Sequence, residues 1–161
     1  MKRPILKHNI SPTALVIVFV ATIVTSMAGT AQAGNACSFA RAAGTYGTSD
    51  SGTVVGIGPR TAVSLLTLDA AGDISGPVTA SLNGAVTHAT LSGTYTVTPD
   101  CTGTASFSEK DQSGTLVLTA TVDLFWDDNM REVRFIFTSV VLANGAPLAT
   151  VISGDGRKLI P

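Results

Sequence analysis

Apolar and polar residues alternate along most of the chain beyond its N-terminal segment. From Ala89 to Val97 the odd positions hold Ala89, Leu91, Gly93, Tyr95 and Val97, and the even positions hold Thr90, Ser92, Thr94 and Thr96. From Leu116 to Trp126 the phase is reversed: Leu116, Leu118, Ala120, Val122, Leu124 and Trp126 face Thr119, Thr121 and Asp123. Val133, Phe135 and Phe137 alternate with Arg134, Ile136 and Thr138 in the same way. A period of two with one apolar face is the signature of a half-buried antiparallel strand. No stretch holds a helical period long enough to predict a helix.

Turn chemistry separates these runs at regular intervals. Gly56 to Arg60 contains Gly-Pro, Asp69 to Asp73 carries Gly72, and Asn83-Gly84 is the strongest short hairpin signal. Pro99 to Gly103, Asp111 to Gly114, Asp127-Asp128-Asn129 and Asn144-Gly145 follow. The pattern predicts eight strands near residues 43–55, 61–69, 74–82, 86–98, 104–110, 115–126, 132–142 and 148–158. Sequential strands with short links make a meander, and a meander leaves two unpaired edges unless it closes on itself. Eight strands enclose an interior that side chains can fill or that can hold one small ligand. The expected fold is therefore all-β, an eight-stranded antiparallel up-and-down barrel, with a β-sandwich as the alternative.

Gly44-Thr45-Tyr46, the run Leu66-Thr67-Leu68-Asp69-Ala70-Ala71-Gly72-Asp73-Ile74-Ser75-Gly76, and the run from Gly93-Thr94-Tyr95 through Asp100-Cys101-Thr102-Gly103 carry a wider pattern. It resembles a set of uncharacterised exported bacterial proteins with barrels like those of allene oxide cyclases and lipocalins. Ala70 and Asp73 depart from the Gly and Asn commoner in that pattern. The resemblance implies a fold and no catalytic residue, because the motif consists of strand and turn grammar.

The N-terminus reads as an export signal. Lys2, Arg3 and Lys7 precede the apolar run from Ala14 to Val24, and small residues follow, ending in Ala31-Gln32-Ala33. An uncleaved anchor is the alternative, since Ala14 to Ala33 is uncharged and near the roughly 20 residues of a spanning helix. Thr25, Ser26, Gly29, Thr30 and Gln32 weaken that reading. The expected organisation is a signal peptide over residues 1–33 and one β-barrel domain over 34–161, placed in the periplasm or outside the cell. Three of the 10 basic residues fall in the leader and none of the 11 acidic ones do. The remainder is acidic by four, without the basic footprint of a nucleic-acid partner. An outer-membrane barrel is a further alternative, opposed by an aromatic content of 6% and by short loops.

The 2 cysteines, Cys37 and Cys101, both lie in the predicted domain. An exported even pair without a C-x-x-C motif predicts a disulfide joining the N-terminal segment to a mid-chain turn.

Candidate chemistry is sparse. His88 lies on a Thr-rich face near the Asn83-Gly84 turn and reads as solvated. Ser49-Asp50-Ser51-Gly52 lacks the context of a serine nucleophile. Asp123, Asp127, Asp128 and Glu132 could offer oxygen ligands to calcium but do not match an EF-hand loop. Gly154-Asp155-Gly156-Arg157 reads as a bend. No metal site, cofactor or catalytic residue is expected.

The remaining candidate is the barrel interior. Leu66, Leu68, Leu91, Tyr95, Leu118, Trp126, Phe135 and Phe137 are expected inside, as a packed core or as an apolar cup for a small apolar molecule. Arg134 and Asp123 would be its polar anchors if they faced inward, but parity puts both outside. Val63, Leu65, Val117, Phe125, Ile136, Val140 and Leu142 fall on the outer phase. If they adjoin, the patch predicts a homo-oligomer, and a face-switching bulge is the alternative. Two function classes follow: a non-enzymatic ligand-binding or structural module, and a cyclase or isomerase guiding a small hydrophobic substrate. Inward convergent polar groups favour the second, and a sealed apolar interior favours the first.

The leader has a direct test. Mass spectrometry of the exported protein is expected to show a chain beginning near Gly34, and an intact chain from Met1 in the membrane fraction would refute it.

Overall fold

A computed structural model describes residues 36–127 and 129–159 of the chain. The leader and its cleavage point before Gly34 lie outside the described residues. One short helix, α1 (Phe39–Ala42), precedes eight strands: β1 (Gly44–Val54), β2 (Gly58–Leu68), β3 (Asp73–Leu82), β4 (Ala85–Tyr95), β5 (Thr102–Asp111), β6 (Leu116–Trp126), β7 (Glu132–Leu142) and β8 (Thr150–Lys158). Each strand pairs with the next and β8 returns to β1, closing an antiparallel up-and-down barrel. That ring of pairings rules out the sandwich.

The strands follow the period-two reading, with instructive differences at their ends. β2 begins at Gly58 because the preceding connection is a tight turn, closed by Ile57 N–H to the Val54 carbonyl at 3.0 Å. Pro59 fits in the strand, where its carbonyl accepts from Asn83 N–H at 2.8 Å. β4 stops at Tyr95, short of residue 98, because Pro99 and Cys101 turn the chain there, Cys101 with a φ of 67°. Asn83 and Gly84 take φ values of 49° and 88°, the left-handed pair that a two-residue hairpin needs.

Aspartates clamp three of the turns. Asp69 Oδ1 accepts from Ala71 N–H and Asp73 N–H at 2.8 and 2.9 Å. Asp111 Oδ1 accepts from Ser113 N–H and Thr115 N–H, both at 2.9 Å. Asp127 Oδ1 accepts from Arg131 N–H and Glu132 N–H at 2.7 and 3.0 Å. Asp127 therefore serves its own turn, and among the described residues no three acidic, histidine or cysteine side chains converge on a metal position. Asp128 of that candidate set lies outside the described residues.

The barrel end where β1 begins is a sealed base. Single-turn α1 is too short to show a period in the sequence and depends on its surroundings for stability. Tyr46 Oη donates toward the Ala42 and Met130 carbonyls, at 2.9 and 3.1 Å, and Lys158 Nζ donates to the Arg41 carbonyl at 2.7 Å. These bonds satisfy carbonyls that a helix end leaves open. Phe39 of α1 stacks edge-on against Tyr95, ring centroids 5.2 Å apart, and Tyr95 stands 6.4 Å from Trp126. The Cys37–Cys101 disulfide ties α1's N-terminal side to the β4–β5 turn.

β7 changes face midway. The β6–β7 register steps from Val122↔Phe137 to Thr121↔Ser139, so Thr138 is an extra residue and its Oγ1 donates to the Thr121 carbonyl at 3.1 Å. Phe135 and Phe137 face inward before the bulge, and Val140, expected outside, is buried after it. Leu142 is half-buried as well. The exposed members of the outer patch fall in separate places: Val63 and Leu65 on β2, and, beyond β1 and β8, Phe125 and Ile136 on the paired strands β6 and β7.

Closing a loop with a sequence separation of 64 removes denatured-state entropy worth roughly 4 kcal/mol. Cys101→Ser is accordingly expected to lower unfolding stability by about 2–5 kcal/mol in denaturant titration. A loss below about 1 kcal/mol would show that the staple is redundant with α1 packing.

Candidate functional site

The interior holds a cavity of about 60 Å³. Leu66, Leu91, Trp126, Phe135 and Phe137, all expected inside, line it together with Tyr46, Phe107 and Leu124. Two expected members stand elsewhere. Tyr95 lies beneath the cavity in the base, where its hydroxyl donates to the Asp69 carbonyl at 2.5 Å. Leu118 packs against the core nearer the mouth, partly buried, without bordering the cavity.

A glycine makes room for one wall. Gly154 pairs with Asp50 on one side and Phe135 on the other, and a β-carbon there would sit 2.5 Å from Phe135 Cζ. Its absence lets the Phe135 ring lie across β8.

Three ionisable side chains border the cavity on its mouth side. Asp50 on β1, Arg60 on β2 and Glu109 on β5 are its acid–base residues, and Asp50 and Glu109 are 8% and 6% exposed. Arg60 Nη1 donates to Asp50 Oδ1 in a direct ion pair, and Arg60 Nη2 stands 4.0 Å from Glu109 Oε1. The guanidinium also lies 5.5 Å from the centre of the Phe137 ring, a cation–π arrangement. Arg134 is exposed and Asp123 half-buried on the outer phase, so the charged groups lining the cavity are this trio, with Thr48 and Ser64 as neutral polar neighbours. Parity marks them in the sequence: Asp50 shares the phase of Tyr46, Arg60 that of Leu66, and Glu109 that of Phe107.

Burial sets the proton affinities. Desolvation pushes the carboxyls of Asp50 and Glu109 above their ordinary range, against the pull of the Arg60 charge. For Glu109 the negative charge of Asp50 adds to the rise. Burial likewise pushes the phenols of Tyr46 and Tyr95 up to about 12, so both stay neutral donors near pH 7. The Trp126 indole N–H, in a side chain 6% exposed, has no hydrogen-bond partner among the described residues. It nevertheless lies near enough to the Tyr46 oxygen to offset part of that rise. An unpaired buried donor is costly to a fold and marks a place where an acceptor would be welcome.

His88 is exposed on β4, its Nδ1 3.1 Å from Thr79 Oγ1, and takes no part in the cavity. No protein-family model matches the chain, and no curated protein matches it in sequence. Among solved structures the chain is similar to a redesigned β-barrel, mFAP1, bound to DFHBI, with a TM-score of 0.50 and 13% identity over 75% of this chain and 98% of that one. A second redesigned β-barrel aligns with a TM-score of 0.46 and 11% identity over 76% of this chain and 96% of that one. At 13% identity the likeness to mFAP1 speaks for the fold alone, in agreement with the ring of strand pairings: the protein is a small, closed, eight-stranded antiparallel β-barrel.

The raised Glu109 carboxyl has a pH signature. A carboxyl that holds its proton more tightly when folded lowers stability once it ionises, and the loss vanishes below its unfolded value of 4.5. Glu109→Gln is therefore expected to raise the melting temperature at neutral pH. The gap should close as pH falls through the raised value toward 4.5. A variant that melts lower than the native chain at pH 7 would contradict this.

Proposed function

We propose that the chain is an exported, non-enzymatic β-barrel that binds a small, mainly apolar molecule in its interior. In this reading residues 1–33 are a cleaved leader and residues 34–161 are the working domain. The disulfide supports export, since such bonds persist in oxidising compartments. The Gly44-Thr45-Tyr46 and Asp100-Cys101-Thr102-Gly103 pattern supports a place among exported bacterial barrels of the allene-oxide-cyclase-like and lipocalin-like kind.

The observation that carries the binding role is how the cavity is built: a sealed base, apolar walls, an unpaired indole N–H and an ionic cluster toward the mouth. Around that mouth Val55, Ile57, Val86, Leu116, Val117 and Val151 are exposed, an approach suited to an apolar ligand. The solved complex of mFAP1 with DFHBI supports a barrel of this fold as a small-molecule host. At about 60 Å³ the resting cavity is well below the roughly 150 Å³ that accepts benzene in an engineered apolar cavity. A ring-sized ligand enters by displacing Phe135 and Phe137, which are only half-buried.

A cyclase or isomerase is the second reading, favoured by the inward convergence of Asp50, Arg60 and Glu109 beside the chamber; it stands second because Asp50 and Arg60 are engaged with each other in an ion pair. An outer-membrane role fits poorly. Thr90, Ser92, Thr94, Ser106 and Ser108 occupy outer-phase positions of β4 and β5, where a lipid-facing band would be apolar. No helix among the described residues is long and apolar enough to cross a membrane.

Trp126 is the chain's 1 tryptophan, so its fluorescence reports on the cavity. Phenol is expected to quench it saturably with sub-millimolar affinity, and Phe135→Ala, by enlarging the chamber, should tighten binding by about tenfold at a stability cost of about 3–5 kcal/mol. Linear, non-saturating quenching in both proteins would remove the binding role.

A further inference from the structure

The charges of the interior trio do not cancel. Arg60 is engaged by Asp50 in a direct ion pair, and its guanidinium is further held over the Phe137 ring. Glu109 receives only the outer edge of that cation, at 4.0 Å, beyond hydrogen-bond reach. Lys110, the next residue, is exposed on the opposite side of the strand. Glu109 is thus a buried carboxyl with surplus negative charge on the wall of an apolar cavity, and a buried charge without a close partner is costly.

The same residue borders a second space. A groove at the rim, lined by Thr87, His88, Gln112, Ser113 and Val117, also reaches Glu109. Glu109 therefore lies on the mouth side of the barrel, the side from which a ligand would arrive. Apart from the trio and from Thr48 and Ser64, the rest of the chamber is apolar and aromatic. Phe107 and Phe137 stack edge-on 6.2 Å apart, Phe135 and Phe137 do the same, and Trp126 and Tyr46 lie toward the base. Aromatic faces around a carboxyl suit an organic cation, which gains from both the ring quadrupoles and the charge-assisted hydrogen bond.

Resting on the binding role above, we propose that the ligand is a small amine with an apolar body in the aromatic chamber and its ammonium hydrogen-bonded to Glu109. Arg60 does not serve as an anion anchor, because Asp50 and Phe137 already occupy it. An anionic ligand would also meet the surplus carboxylate. Burial first, and the neighbouring Asp50 charge after it, raises the proton affinity of Glu109 against the pull of Arg60, and a ligand ammonium beside the carboxylate would stabilise its ionised form.

Three probes of matched shape separate the outcomes: isobutylamine, isobutanol and isobutyrate, titrated against the Trp126 indole N–H resonance of the full exported chain at neutral pH. Isobutylamine is expected to bind at least about tenfold more tightly than isobutanol, the scale of one charge-assisted hydrogen bond. Isobutyrate is expected to be the weakest. Glu109→Gln should bring isobutylamine and isobutanol to similar affinities, whereas a merely structural role would weaken both alike and keep their ratio. Equal binding of amine and alcohol by the native chain, or tightest binding of isobutyrate, would overturn the amine assignment and leave the binding role standing. Absence of a saturable shift with any of the three, together with unsaturable phenol quenching, would overturn both.

Discussion

Pairing between β1 and β8, from Tyr46↔Lys158 to Val54↔Thr150, is the constraint on which the rest of the structure depends. An open eight-stranded sheet of this composition would present two long edges rich in threonine, serine and valine, each a template for association. Closure satisfies those backbone groups and turns one face of every strand into an interior. Without the ring, Asp50 on β1 and Glu109 on β5 would lie far apart on a sheet. With it, both reach the same guanidinium on β2.

The two ends of the barrel solve different problems. The base has no strand to cover it, and the chain supplies α1, a disulfide and a stack of aromatic rings from Phe39 through Tyr95 to Trp126. The Arg41 and Ala42 carbonyls at α1's end accept from Lys158 on β8 and Tyr46 on β1, so the plug is joined to the wall by hydrogen bonds as well as by packing. The mouth has no such plug. Its rim carries exposed Val55 and Ile57 in a turn and Val86 at the start of β4, and the ionic trio lies below them. A rigid, closed floor with a looser opening is the arrangement expected of a barrel that admits molecules from one side.

Burying three ionisable groups in so small a domain is energetically unfavourable unless they serve one another. The Asp50–Arg60 pair offsets its own desolvation through direct contact and a cation–π stack. Glu109 and the Trp126 indole N–H are left less well matched, at opposite ends of one cavity. Polar groups short of partners around an otherwise apolar space are the feature that distinguishes this interior from a filled core.

What the chain determines locally is legible without coordinates. Alternation at Leu116 through Trp126 and the turns at Asp69, Asn83 and Asp111 define the strands, because strand period and turn geometry are set by neighbours a few residues apart. Strand number and short links then point to closure, and two cysteines in a chain whose leader reads as an export signal point to their pairing. The inward phase of Asp50, Arg60 and Glu109 was also present in the alternation, although charge at those positions reads as surface until the barrel is closed. Other features belong to the tertiary structure alone. The bulge at Thr138 that buries Val140 depends on how β7 fits against β6. The single turn of α1 exists because Tyr46 and Lys158 receive its end. The removal of Tyr95 and Leu118 from the cavity, and the meeting of three charges from strands distant in sequence, follow from the stagger of strands around the ring. That stagger joins residues that no local period relates.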